Sequence, residues 1–332
     1  MSFARVRHAA LALTSAAALV TTAAAPADAR PTETAWLELA RQAGTEAEEA
    51  FAKVNDGRNI QVWWVSPIAG YRGRLDGWHS PQTRHWLQQV YTRQTPSGGH
   101  GLGYAWDWGN NHTVNSRDTA YTITTAWHVG RTLIEGYDAG VVDRRRLLTA
   151  VTSILNTATR DDGRCVAYSN SGHDTKMPCV WNINATAAWF LWQAARRNAV
   201  PVARRQEALD KSRAWRDFTR AHYRVDLNAW PYASHVQTRQ DPWHNAATVG
   251  PMYELDREFG VQAMDGHFTV WPANSSNVDL VIYDCARIRP GLLGDARRHA
   301  LPAVDGDPWR QLQSRSRWGY MALRLHQTCF AG

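Results

Sequence analysis

After Asp143 the apolar residues Leu147, Leu148, Val151, Ile154 and Leu155 recur at three- and four-residue spacing, the signature of one helix face. Asp143 is placed to cap that helix. Residues 32–54 and 80–93 carry the same periodicity, and in the second Ser80 and Pro81 form a strong start signal, because proline at the first helical position gives up only an N–H that would be orphaned anyway. Residues 201–223 are helical too, but so charged that they belong on an outer face. Residues 267–283 alternate apolar and polar positions and contain Pro272, which predicts a short β-hairpin. Residues 318–329 predict a final inner helix, and 291–310 a short outer helix with a loop.

A longer period overlies these elements. Tyr104, Tyr168 and Tyr232 stand 64 residues apart, and each opens a polar loop of about a dozen residues that leads through Asn or Asp into a helix rich in Ala and aromatics. An amphipathic helix separates successive copies, so each period holds an inward helix and a covering one. This arrangement resembles the α/α-toroid carbohydrate-active enzymes, with inner and outer helices alternating around a central cleft. The stretch WPYASHVQTRQDPWHNAATVG at 230–250 carries the likeness best. The resemblance implies an all-α fold in which helical hairpins form a small or incomplete toroid, with a short β-hairpin and the long polar loops at one end. It also implies a polysaccharide lyase or a glycoside hydrolase.

The N-terminus adds a location. Arg5 and Arg7 precede a small apolar run that ends in an Ala-x-Ala pattern at Ala27 and Ala29, so residues 1–29 are expected to be an export signal and the protein secreted. Residues 30–332, about 303 in number, are expected to form one toroid domain. The four cysteines allow three pairings; Cys165 with Cys179 and Cys285 with Cys329 is the preferred one, since each closes a segment between neighbouring elements. No pair has the C-x-x-C spacing of a zinc site.

The formal charge is +7, carried mostly by arginine: only Lys53, Lys176 and Lys211 are lysines. Guanidinium groups suit carboxylate and sulfate, which points to an acidic polysaccharide or oligosaccharide as partner. Nucleic acid is not expected, for no basic stripe or recognition module occurs. No dinucleotide, Walker, G-x-S-x-G or H-E-x-x-H pattern is present, and neither a cofactor nor a metal is expected.

Seventeen tryptophans are the chain's other peculiarity, and Trp63, Trp64, Trp78, Trp106, Trp108, Trp181, Trp230, Trp243 and Trp271 are all expected in or beside loops. Aromatic faces stack on the apolar faces of sugar rings, so Trp106, Trp108 and Trp243, with Asn111 and His112, are expected to wall a subsite. Elimination from a uronic-acid polymer needs a group to neutralise the carboxylate, a base and an acid. Asn184 or Asn182 is the candidate for the first role, His235 or His244 for the second and Tyr232 for the third, with Arg239 holding a neighbouring uronate. This set resembles the Asn, His, Tyr and Arg groups of toroid lyases. Helix capping also explains one of the two asparagines, and packing between hairpins also explains the recurring tyrosine. Hydrolysis needs two carboxylates across the scissile bond, for which Asp107, Asp118 and Asp241 are the principal candidates, beside Asp174 and Glu254. A non-catalytic carbohydrate-binding protein would use the same aromatic cleft without a proton-transfer group.

Overall fold

The structure, a computed structural model, describes residues 33–54, 61–107, 112–271, 275–285 and 306–330. The expected export signal, Trp108, Asn111 and most of the expected outer helix at 291–310 lie outside the described residues. What is described is an all-α fold with a single two-stranded hairpin among the described residues.

The first helix, α1 (Glu33–Val54), buries Trp36, Ala40, Ala43, Ala47 and Ala50, a stripe at helical spacing. That stripe packs along the last helix, α11 (Pro308–Cys329). The two backbones nearly touch where they cross: a Cβ built on Gly319 would stand 2.9 Å from the Gly44 nitrogen, so no side chain fits there. Helix α3 (Pro81–Tyr91) begins as its sequence predicts, with Ser80 Oγ accepting from Thr83 N at 3.2 Å. Helix α5 (Arg144–Asn156) is likewise capped by Asp143, which accepts from Arg146 N at 2.8 Å. Its Leu147, Val151 and Ile154 are buried, each contributing about 2 kcal/mol of apolar transfer.

Three elements depart from the sequence expectations. Residues 62–76, with Trp63 and Trp64, form helix α2 (Val62–Asp76), not loop. Residues 267–271 and 275–283 do not form the expected strands: they close helix α9 (Arg257–Val270) and make helix α10 (Ser275–Val281), where Val278, Asp279, Leu280 and Val281 are all buried, so the apolar and polar positions do not mark an inner and a solvent face. Helix α11 starts ten residues earlier than the expected 318, where Asp307 accepts from Trp309 N at 3.0 Å and Pro308 takes the first position. The hairpin that does occur joins β1 (Thr159–Arg160) to β2 (Cys165–Val166), turning through Asp161, Asp162 and Gly163 at positive φ.

The other helices are α4 (Gly130–Asp138), entered through a π-helical turn at Thr124–Val129, then α6 (Trp181–Arg196), α7 (Val202–Ala221) and α8 (Pro242–Leu255). Contacts run from α11 to α2, from α2 to α3 and α4, from α4 to α5 and α6, from α6 to α7 and α8, from α8 to α9 and α10, and from α10 to α11. Cys165–Cys179 and Cys285–Cys329 are both disulfide-bonded, the first tying β2 to the segment that enters α6. No described helix is long and apolar enough to cross a membrane.

Asn184 shows why the covering helices stay in register. It lies inside α6, where its Oδ1 accepts from Val166 N at 3.0 Å and its Nδ2 contacts Arg164 O, Trp215 O and Thr219 Oγ1 at 3.0 to 3.1 Å. One amide thus ties α6 to the hairpin and to α7. Asn184→Ala is expected to lower the unfolding free energy in urea by about 3 kcal/mol, since it strands several buried backbone groups at once. Unchanged stability would contradict this structural role.

Candidate active site

The three repeated loops stack side by side. Thr122 N donates to Tyr168 O at 2.9 Å and Ala120 N to Asn170 Oδ1 at 2.9 Å, joining the first loop to the second. Ser234 N donates to Cys179 O at 2.8 Å, joining the second to the third. Tyr104 is tied to the start of α2 by Gln61 Nε2 at 2.7 Å. The loops therefore gather the N-termini of α2, α6 and α8 and the π-turn before α4. Helix N-termini carry unpaired N–H groups and partial positive charge, which favours anionic groups nearby.

At the start of α8 one carboxylate does two jobs. Asp241 caps the helix, accepting from Trp243 N at 2.9 Å and His244 N at 3.1 Å, and it also takes a hydrogen bond from the Nδ1 of His244. Burial would raise the carboxyl's pKa, but the imidazole and the two backbone N–H groups outweigh it and hold Asp241 below the usual carboxylate range. With Nδ1–H donated to the carboxylate, the neutral form of the ring carries its lone pair on Nε2. Tyr232 stands against that ring, edge to face, with centroids 4.9 Å apart.

Aromatic residues back this dyad. Trp243 contacts His244 at 4.8 Å, and His128 stacks on Trp243 at 5.9 Å with 15° between planes. Trp63 meets His128 edge-on at 5.1 Å, and the Arg317 guanidinium stands 5.0 Å from the Trp243 centroid. His128 lies on the π-helical turn, a distortion often found at functional positions. Burial, followed by the nearby Arg317 and Arg131, pushes its pKa down to about 3, so its ring is neutral. The sequence reading missed Trp63, His128 and Arg317 as site residues.

Several predicted residues stand elsewhere. Asn184 is spent on backbone groups, so its four contacts leave it unsuited to neutralising a carboxylate. Asn182 is buried in the first turn of α6, and its Oδ1 has no hydrogen-bond partner. His235 and Asp118 are exposed. Arg239 is exposed as well, over Trp271 at 5.5 Å. Trp106 pairs with Asn115 in an isolated bridge and lies 6.3 Å from Tyr121. Asp107 accepts from the backbone N of His112 at 2.7 Å, and His112 itself is exposed at positive φ. Asp174 is buried, accepting from Asn115 Nδ2 and Ser169. Trp181 and Trp230, expected beside loops, are fully buried core residues.

Behind the aromatic cluster lies a buried charge network. Arg131 makes two contacts to Asp279, at 2.8 and 3.1 Å, and Arg317 and Arg324 approach the same carboxylate at 3.9 and 3.7 Å. Farther along, Glu135 pairs with Arg74 at 2.8 Å and accepts from Tyr320 at 2.7 Å. A cavity of 570 Å³ lies beyond, where α6 and α8 end, and Trp192, Arg196, Tyr253, Glu254 and Arg257 contribute to its lining. Glu254 there accepts from Trp189 Nε1 at 2.8 Å. Asp241 and Glu254 occupy opposite ends of α8, about 20 Å apart at the helical rise, too far to flank one glycosidic bond. At the loop end, by contrast, the Nδ1 of His244 is held by Asp241. In comparison with known proteins, the chain matches no family model and no curated protein.

The buried histidines give a pH dependence of known sign. Burial lowers His100 to about 3; it also lowers His267 to about 4, although the hydrogen bond to Asn277 opposes the shift. The folded state thus favours both rings neutral, and an unfolded histidine, with its ordinary 6.5, binds protons first. Their contribution is complete above pH 6.5 and is lost as pH falls toward the folded values, at about 1.4 kcal/mol per pH unit for each ring. Denaturant midpoints at pH 7, 6 and 5 should fall in that order; a midpoint that rises on acidification would contradict it.

Proposed function

We propose that the protein is a secreted polysaccharide lyase that cleaves an acidic, uronic-acid-containing glycan by β-elimination. The observation that carries this reading is the Asp241–His244 dyad with Tyr232 against it. The unprotonated Nε2 of His244 is the base that removes the C5 proton of the uronate. Electrons from that C–H bond form the C4–C5 double bond as the C4–O bond breaks, and the Tyr232 hydroxyl supplies a proton to the departing oxygen. Asp241 stabilises the imidazolium that forms, the role of an orienting carboxylate in any acid–base pair of this kind. Trp106 and Trp243 border the same end and suit a sugar chain.

The helix contacts support the architectural part of the reading. The path α2, α4, α6, α8, α10, α11 and back to α2 has the order expected of inner helices in an α/α toroid, with α1, α3, α5, α7 and α9 covering them. Two disulfides accord with an oxidising destination, as expected after export.

The test follows ultraviolet absorbance and reducing ends together on a panel of polyuronates and neutral polysaccharides. Absorbance rising with the ends is expected, because the new double bond conjugates with the carboxylate. His244→Ala should lower kcat about a thousandfold, and Asp241→Asn about a hundredfold, with the fold retained. Reducing ends without absorbance would mean hydrolysis, and neither signal would leave a binding protein.

A further inference from the structure

Positive charge is in excess beside Trp243. Among the described residues the carboxylate paired with Arg317 is Asp279, at 3.9 Å, beyond hydrogen-bond reach, and its own side chain is only 2 % exposed. Arg131 already holds that carboxylate at 2.8 Å, and Arg324 approaches it as well. Three guanidinium groups surround Asp279, and Arg324 also lies 3.6 Å from Glu135, so of the three Arg317 has the weakest claim on a carboxylate. Burial lowers the Arg317 pKa to about 10; Asp279 opposes the shift and Arg131 adds to it. Arg317 and Arg131 likewise add to the burial that lowers the pKa of His128, while Asp279 opposes them.

Arg317 is also reachable. Its side chain is 29 % exposed, whereas that of Arg131 is 9 % exposed. It stands over Trp243, whose ring touches His244, so Arg317 and the dyad share one indole. We infer that Arg317 forms an anion subsite beside Trp243 that binds the carboxylate of a uronic-acid residue and selects acidic over neutral glycans. The inference rests on the glycan-cleaving reading above and deepens it. It supplies a carboxylate-binding group that Asn184, committed to the hairpin and α7, does not. A guanidinium matches a carboxylate by two parallel N–H···O bonds, and Trp243 beneath it shields the pair from water on one side.

Calorimetric titration with oligomers of galacturonate, glucuronate and mannuronate, their carboxyl-reduced neutral counterparts and a sulfated neutral oligomer tests this. At least one uronate oligomer should bind about tenfold or more tightly than its neutral counterpart, and added salt should erode that difference. Arg317→Gln should abolish the preference without weakening neutral binding, and Arg317→Lys, which keeps the charge but not the fork, should retain part of it; thermal melts check that each is folded. The salt dependence of the native protein needs no variant. No preference for any uronate, or a preference that survives Arg317→Gln, would overturn the inference, as would tight binding of the sulfated oligomer alone. Elimination is read separately by absorbance. Charge-selective binding lost in Arg317→Gln without absorbance would keep the subsite and reject the lyase; equal absorbance from both proteins would do the reverse.

Discussion

The buried pairing of Arg131 with Asp279 is the contact on which the rest of the interior depends. It joins α4 to α10, and through Arg317 and Arg324 it draws in α11, so three helices far apart in the chain are set by one carboxylate. Burying such ions is costly, and the pair is tolerable because Asp279 receives two N–H contacts while Arg131 lies 3.3 Å from the Trp127 ring centroid. Removing either partner would strand the other charge. The same network separates the loop end from the cavity where α6 and α8 finish, and it leaves the cation surplus that Arg317 presents to the cleft.

At the loop end, capping and chemistry use the same atoms. A helix needs an acceptor at its first turn, and Asp241 meets that need for α8. Because His244 falls three residues later, the cap can also hold its Nδ1, and the fold thereby sets a tautomer without a dedicated residue. Tyr232 and Trp243 then fix the ring from two sides. The stacking of consecutive loops brings the starts of α2 and α6 and the π-helical turn to the same end as the start of α8.

Legibility followed exposure. Helices α1, α3, α5 and α7 were readable because each has a wet face, and Ser80 and Asp143 cap as their positions imply. Helix α2 was not, since apolar residues surround it and Pro67, Gly70 and Gly73 interrupt any propensity argument. In α10, buried residues around Asp279 mimic strand alternation. At the site, Asp241, Trp243, His244 and Tyr232 lie close together in sequence and could be found as a local motif. Trp63, His128 and Arg317 reach the same place from three other elements, and no spacing announces that. Asn184 misled for a related reason: its partners Trp215 and Thr219 lie on the next helix, so its commitment is visible only in three dimensions.

The proposed base requires that Asp241 hold His244 in one tautomer. Nitrogen-15 NMR of the histidine-labelled protein at neutral pH, with His244→Gln to assign the signal, measures this without reference to any substrate. The Nδ1 resonance of His244 is expected to be that of a protonated nitrogen and the Nε2 resonance that of a bare one. A proton on Nε2 with Nδ1 bare would contradict this, because the nitrogen turned away from Asp241 would then have no lone pair to accept a proton.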